Sequence, residues 1–341
     1  MHRKNFLRTS AALVAGTLLS AKKVAAADGE KHPIKIPPYL KAGSVVGITS
    51  PAGFITMEEI QPAVAVLKSW GFEIKYGNTI GKRDFTFGGT DEERLNDLQQ
   101  ILDDKNVAAI MCARGGYGSV RIVDDLNWTK FIQHPKWLIG FSDITVLHAH
   151  IFSNCHAASI HSKMTNSFPK DWNTADAIQI ETINSIRAAL TGEQMKYIIT
   201  ANAANKIGTV SGPLIGGNLK TLETLSGTKS DLNTDGTILF VEDTGEYLYS
   251  IDRMFWNLKR TGKLKNLKGL IIGGFCIKPD DPGEEFGRTV QDIVLEKVKE
   301  YNYPVCFDFP VGHQKNNFAL KCGVKHRLTI TKEEVSLTET V

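Results

Sequence analysis

From Ser44 onward, short apolar runs alternate with helical patterns. Val45 to Thr49 reads as a buried strand and stops at the turn Ser50-Pro51-Ala52-Gly53. Thr56 and Glu59 form a capping box, in which each side chain accepts the other residue's backbone N–H, and they predict a helix ending at Gly71. Phe72 to Tyr76 predicts a strand. Thr90 with Glu93 then opens a second helix that sets Leu95, Leu98, Ile101 and Leu102 on one face. Val107 to Cys112 predicts a strand, Tyr117 to Asp125 a helix, Trp137 to Phe141 a strand and Asp143 to Asn154 a helix. This order predicts an α/β fold. Its N-terminal part is a Rossmann-like or flavodoxin-like parallel sheet covered by helices on both faces, with ligands gathering beyond the C-terminal strand ends.

The alternation weakens between about 163 and 206, where Pro169, Asp171 and Asn173 interrupt polar helical text. The predicted organisation is an N-terminal α/β domain over 41–165, a linker with a helix over 166–206, and a β-rich C-terminal domain over 207–335. In the last, Thr237 to Val241, Gly269 to Phe275, Pro304 to Phe309 and His326 to Ile330 read as strands. They are separated mostly by loops and by one clear helix, Thr289 to Glu300.

A length of 341 residues suits two domains with real cores, and 42 % hydrophobic with 23 % charged residues excludes disorder as the main state. The net charge of +3 comes from the first 27 residues, which hold Arg3, Lys4, Arg8, Lys22 and Lys23 and no acid. The remainder carries 35 basic against 37 acidic groups, so nucleic acid is not an expected partner.

That N-terminus reads as an export signal over about 1–27: a basic start, the apolar run Ala11 to Leu19, and Ala25-Ala26-Ala27 before Asp28. The run is too short to span a bilayer, and no Cys follows it to carry a lipid. The expectation is a periplasmic protein without a stable membrane anchor after processing. Arg3-Lys4 also resembles a twin-arginine signal with one Arg replaced, and general secretion is preferred over that route. Five cysteines are an odd number, none lies in C-x-x-C, and Cys112, Cys276 and Cys306 sit in apolar runs, so buried thiols are expected rather than disulfides or a zinc site.

Gly140-Phe141-Ser142-Asp143 falls where a strand stops and a helix starts, the place that lifts a serine hydroxyl above a sheet. Ile144 stands where such an elbow usually has its second glycine, and a helix cap is the plain alternative for Ser142. A serine needs a base and an orienting acid. Glu242, after the apolar run Ile238 to Val241, and His313, after Pro304 to Phe309, supply them in the order of α/β-hydrolases. Asp243 and Glu246 are rival acids, and a turn residue is the plain reading of His313. The loop Arg114-Gly115-Gly116-Tyr117-Gly118-Ser119 offers backbone N–H groups to an oxyanion, whereas Arg121 breaks the dinucleotide spacing that starts at Gly116. His148 and His150, two apart on a helix, diverge. With His156 and His161 they read as packing or surface residues, and no metal is expected.

The strings ITSPAG (48–53), ARGGYGS (113–119), LIGFSDITVLH (138–148), LIGGNLKTLETLSGT (214–228), FVEDTGE (240–246) and GH (312–313) together resemble the LD-carboxypeptidases, or muramoyltetrapeptide carboxypeptidases, a serine peptidase family that includes the microcin C self-immunity peptidases. The resemblance runs from about Lys41 to Leu328. It implies an N-terminal α/β domain and a β-rich C-terminal domain with the site between them. Ser142 matches the nucleophile, Glu242 the acid and His313 the base, while Asp143 with Gly115 or Gly116 matches the oxyanion hole. Asn218, Arg114 and Tyr117 fall on the substrate side. The implied reaction releases the terminal D-alanine of a murein stem peptide or muropeptide without a cofactor, and a homodimer is an open expectation. Alternatives are cleavage of a peptidyl or aminoacyl nucleotide, or a catalytically silent peptide- or glycan-binding protein. The chain departs from the family pattern at His161-Ser162-Lys163 and at Gln314-Lys315-Asn316-Asn317.

Overall fold

A computed structural model describes residues 33–340, of which those from Ile34 form one compact unit. The expected export signal over 1–27 lies outside the described residues. Among the described residues no helix is long and apolar enough to cross a membrane.

The first half alternates as the pattern predicts: β1 (Val45–Thr49), α1 (Met57–Ser69), β2 (Glu73–Tyr76), α2 (Asp91–Asp103), β3 (Val107–Cys112), α3 (Thr129–Gln133), β4 (Trp137–Gly140), α4 (Thr145–His150) and β5 (Ser159–His161). Both capping boxes are formed, at Thr56 with Glu59 and at Thr90 with Glu93. The five strands lie parallel in the order β2-β1-β3-β4-β5. β3 and β4 are apolar because helices cover both faces of a parallel sheet.

The expected helix from Tyr117 to Asp125 is absent: a single 3-10 turn, Ser119–Arg121, stands there. Gly116 and Gly118, at φ of +103° and +144°, hold the chain in an extended detour that helical backbone cannot follow. The helix expected from Asp143 to Asn154 is also broken up, into a 3-10 turn, α4 and a π turn.

The segment expected as a linker holds α5 (Ala177–Thr191) and β6 (Lys196–Thr200). There follow β7 (Gly208–Asn218), α6 (Leu219–Thr224), β8 (Ile238–Glu246), α7 (Leu248–Arg260), β9 (Gly269–Ile277), α8 (Val290–Val298), β10 (Val305–Cys306), β11 (Leu320–Cys322), β12 (Lys325–Ile330) and β13 (Glu334–Glu339). The second sheet has the order β10-β9-β8-β7-β12-β13-β6, with β10 to β7 parallel and the rest antiparallel. It carries more helix than expected, since α7 buries Ile251, Met254, Phe255 and Leu258 along one stripe. The strand expected over Pro304 to Phe309 shrinks to β10, because Asp308 turns left-handed at φ +57° just ahead of Pro310.

The two sheets are not independent. β11 leaves the C-terminal part and pairs antiparallel with β5 at the edge of the first sheet. One hydrophobic cluster runs from Leu98 of α2 through Ile144, Val146 and Leu147 to Leu219, Leu222 and Phe255. Packing of α4 on α6 and β7 brings the C-terminal ends of the parallel strands of both sheets to one place.

Candidate active site

β4 ends at Gly140, and two residues later Ser142 adopts φ +62°, a left-handed backbone that non-glycine residues rarely occupy. Its side chain caps nothing: the 3-10 turn it opens and α4 both start without a side-chain cap. The plain reading as a helix cap therefore fails. A Cβ on Gly140 would lie 2.9 Å from both Cγ carbons of Ile144. The turn thus works with one glycine, over which Ile144 packs in place of the second. His148 fixes the strand behind it by donating from Nε2 to Gly140 O (2.9 Å) and accepting from Ser159 Oγ at Nδ1 (2.8 Å). Burial holds that ring down to about 4, so it is neutral.

Glu242 is fully buried in β8, and its Oε2 accepts His313 Nδ1–H at 2.6 Å and the His313 backbone N–H at 3.2 Å. Room for the carboxylate comes from Gly312, at φ +109°, where any Cβ would overlap the Glu242 side chain. Asn317 steadies the same turn by accepting Gly312 N–H at 2.8 Å. With Nδ1–H committed to Glu242, Nε2 of His313 keeps its lone pair. The imidazole lies 4.9 Å from the ring of Phe141, the neighbour of Ser142. Among the described residues Ser142 Oγ makes no hydrogen bond to His313; such bonds are often open before substrate closes the site.

The rival acids are occupied elsewhere. Asp243 accepts from Asn218 Nδ2 (3.1 Å) and from the Lys220 N–H (2.8 Å), and burial raises its carboxyl to about 6. Glu246 accepts from Ser250 Oγ and lies 3.5 Å from Lys220 Nζ.

The glycine loop passes directly against the serine: a Cβ on Gly115 would sit 3.0 Å from Ser142 Cβ and 3.3 Å from its Oγ. Gly115 O accepts the Gly53 N–H at 2.9 Å. No peptide bond here is cis, so the Gly116 N–H points away from Gly53. Ser119 N–H donates to Asp143 Oδ2 at 2.8 Å, tying the loop to the residue after Ser142; burial raises the Asp143 carboxyl. A cavity of about 370 Å³ opens here, lined among others by Gly116, Tyr117, Ser142, Asn218, Lys220 and Glu246. Arg114 turns instead to the carbonyl of Phe54 (3.2 Å).

Two residues stand closer to the His313 turn than their places in the sequence imply. Lys163 donates to Gln314 O at 2.6 Å, so the two departures from the family pattern touch each other beside the His313 turn. Cys276 is exposed, not buried as expected, because β9 runs past the sheet's covered part; its Sγ donates to His313 O at 3.0 Å. The other four thiols are buried and free. Among the described residues no group of three or more His, Cys, Asp or Glu side chains could hold a metal ion. His150 stacks on Trp128 and bonds Ser230, away from His148.

Residues 46–162 match the LD-carboxypeptidase N-terminal domain and residues 211–328 the LD-carboxypeptidase C-terminal domain. A Synechocystis sp. protein named as a carboxypeptidase is 31 % identical over 293 residues, 85 % of this chain and 92 % of its own. The chain belongs to the LD-carboxypeptidase family. Among solved members, the muramoyltetrapeptide carboxypeptidase from Oxalobacter formigenes superposes with a TM-score of 0.78 at 29 % identity, covering 87 % of this chain and 99 % of that one. The Escherichia coli microcin C7 self-immunity protein is 27 % identical over 344 residues, 91 % of this chain and 97 % of its own. The first sheet, parallel but for β11 at its edge, and the mixed second sheet are thus the LD-carboxypeptidase fold.

Proposed function

We propose that this LD-carboxypeptidase is a serine enzyme that hydrolyses the amide between the L-centre of the diamino acid and the terminal D-alanine of murein tetrapeptides. The observation that carries the reading is Ser142, held left-handed over a cavity with the Glu242–His313 pair beside its neighbour Phe141. Ser142 Oγ attacks the carbonyl carbon while His313 Nε2 takes its proton. The tetrahedral oxyanion is met by the backbone N–H of Asp143 and by that of Gly116, which the Gly53 bond to Gly115 O turns away from the 50–53 loop. The amide C–N bond breaks, the imidazolium gives its proton to the departing D-alanine amine, and water hydrolyses the acyl-enzyme by the same route in reverse. Glu242 holds the ring and offsets its transient charge. Tyr117 and Asn218 line the cavity wall, Asn218 with its side chain committed to capping α6 and to Asp243.

Incubation with defined tetrapeptides, read by mass spectrometry, should show loss of one alanine and no further shortening. Intact tetrapeptide beside hydrolysis of an aminoacyl nucleotide amide would move the chemistry to that second substrate class. We also propose export to the periplasm, supported by the residue order in 1–27. Mature protein beginning near Asp28 is the expected result, and intact Met1 on all of the protein would overturn it.

A further inference from the structure

We propose that Arg94 is the positioning residue of the oxyanion-binding loop, a role that rests on the reaction proposed above. Arg94 lies in the first turn of α2 and is fully buried. Its Nη1 donates to Pro51 O (2.5 Å) and to Gly118 O (2.9 Å), and its Nε donates to Gly89 O (3.3 Å). Nη2 pairs with Asp91, which also takes Arg121 Nε at 2.9 Å. The guanidinium carbon stands 4.9 Å from the centre of the Phe87 ring.

One cation therefore joins two loops that are 67 residues apart at Pro51 and Gly118; the second passes against Ser142 at Gly115, and the first bonds it through the Gly53 N–H. Its two carbonyl contacts bracket the Gly53 N–H bond to Gly115 O, the contact that sets the direction of the Gly116 N–H. Gly118, at φ +144°, leaves the space the cation needs, since a Cβ there would come 2.7 Å from Nη1. The positive charge also favours the ionised form of Asp143, which accepts the Ser119 N–H one residue beyond Gly118. A buried charge is a weak device for stability, because apolar replacements are often as stable. A fork with fixed donor directions is a strong device for holding two backbones at a set distance. Without it only the Gly53 N–H bond holds the Gly115–Gly116 peptide to the 50–53 loop, and its donor is less well preorganised.

The test compares Arg94→Met, which keeps an unbranched stem and removes every donor, with Arg94→Lys, which has one nitrogen in place of three. In R94M we expect kcat to fall roughly 10²-fold with KM changed less than about threefold, as for loss of one oxyanion donor. Amide hydrogen exchange should quicken at 114–119 while the protection of β3 and β8 stays parental. R94K should lose about tenfold in kcat, with an intermediate exchange rate in the same loop. Parental exchange at 114–119 in R94M overturns the proposal, as does a loss of protection spread equally over β3 and β8, which is plain destabilisation. If R94M does not fold, parental kcat and loop exchange in R94K overturn it. A parental enzyme that leaves tetrapeptides intact would sink the functional reading, whereas loop exchange would still decide the role of Arg94.

Discussion

Gly140→Ala tests whether the serine turn depends on the space that Ile144 takes over Gly140. A Cβ at this position would lie 2.9 Å from Ile144 Cγ1, 2.9 Å from Cγ2 and 3.1 Å from Cβ. Unstrained carbon contacts lie at roughly 3.5–4.0 Å, so Ile144 must retreat by about 0.6–1 Å. Overpacking of that kind costs roughly 1–3 kcal/mol. Gly140 is not among the left-handed residues, so alanine also narrows the unfolded ensemble and returns about 0.4–1 kcal/mol. The net expectation is a loss of about 1–2 kcal/mol in urea unfolding at constant m-value. Ser142 lies between the two residues, and a misplacement near 1 Å costs on the order of 10² in kcat. Second-site changes sharpen the test. Ile144→Ala removes both offending Cγ carbons and alone costs about 2–5 kcal/mol as a fully buried truncation. Ile144→Val keeps both. G140A/I144A should therefore be more stable than the sum of its parts by at least about 1 kcal/mol and more active than G140A, whereas G140A/I144V should be additive. A G140A protein within threefold of parental kcat and about 0.5 kcal/mol of parental stability refutes the steric argument. Equal relief by valine and alanine refutes it too.

If Ser142, His313 and Glu242 act as a unit, S142A, H313A and the double variant should each lose roughly 10⁴–10⁶ in kcat without adding, and E242Q somewhat less, in single-turnover assays on a tetrapeptide. Near-parental turnover by folded S142A would rule out the covalent route. Gly115→Ala sets a methyl against Ser142 and Gly116→Ala strains a φ of +103°, so both should lower kcat by roughly 10²–10³; full rates in both would move the oxyanion donor elsewhere. His148 and His326 are buried rings held down to about 4 from the usual 6.5. Unfolded rings take up protons below pH 6.5 while the folded ones stay neutral. Stability is therefore complete above pH 6.5 and falls as the pH drops towards 4, by up to about 3 kcal/mol per ring. Denaturation curves showing no such fall in the parent, or the same fall in H148Q/H326Q, would contradict this assignment.

Much of the first sheet was readable because its cues are local: an apolar run covered on both faces, and capping boxes such as Thr90 with Glu93. What stayed hidden depends on partners remote in sequence. Arg94 and Asp97 look like the solvent face of α2, yet both are buried, Asp97 to accept from Thr49 and Thr79 across from β1. β7 was missed because Gly212, Pro213, Gly216 and Gly217 read as loop; Gly217 is needed where Thr145 crosses the strand. The α7 stripe, by contrast, is legible in the sequence at its 3.6-residue spacing. Among Glu242, Asp243 and Glu246 the residue pattern by itself leaves the acid open, and only the resemblance to the family picks Glu242. Successive strand residues face opposite sides, and only pairing with the Gly312 turn separates Glu242, which bonds His313, from Asp243, which bonds the N-terminus of α6.

The excursion of β11 into the first sheet bears on when this molecule becomes active. The turn bearing His313 runs within seven residues into Leu320–Cys322, which is hydrogen-bonded beside β5 and so one strand from the Gly140 end of β4. The two sheets are stitched together there, so an opening that parted His313 from Ser142 would have to break the pairing of β11 with β5. A nascent or truncated chain ending before residue 322 lacks this stitch even though all three proposed catalytic side chains are already synthesised. Hydrolytic activity should therefore require the chain through Cys322.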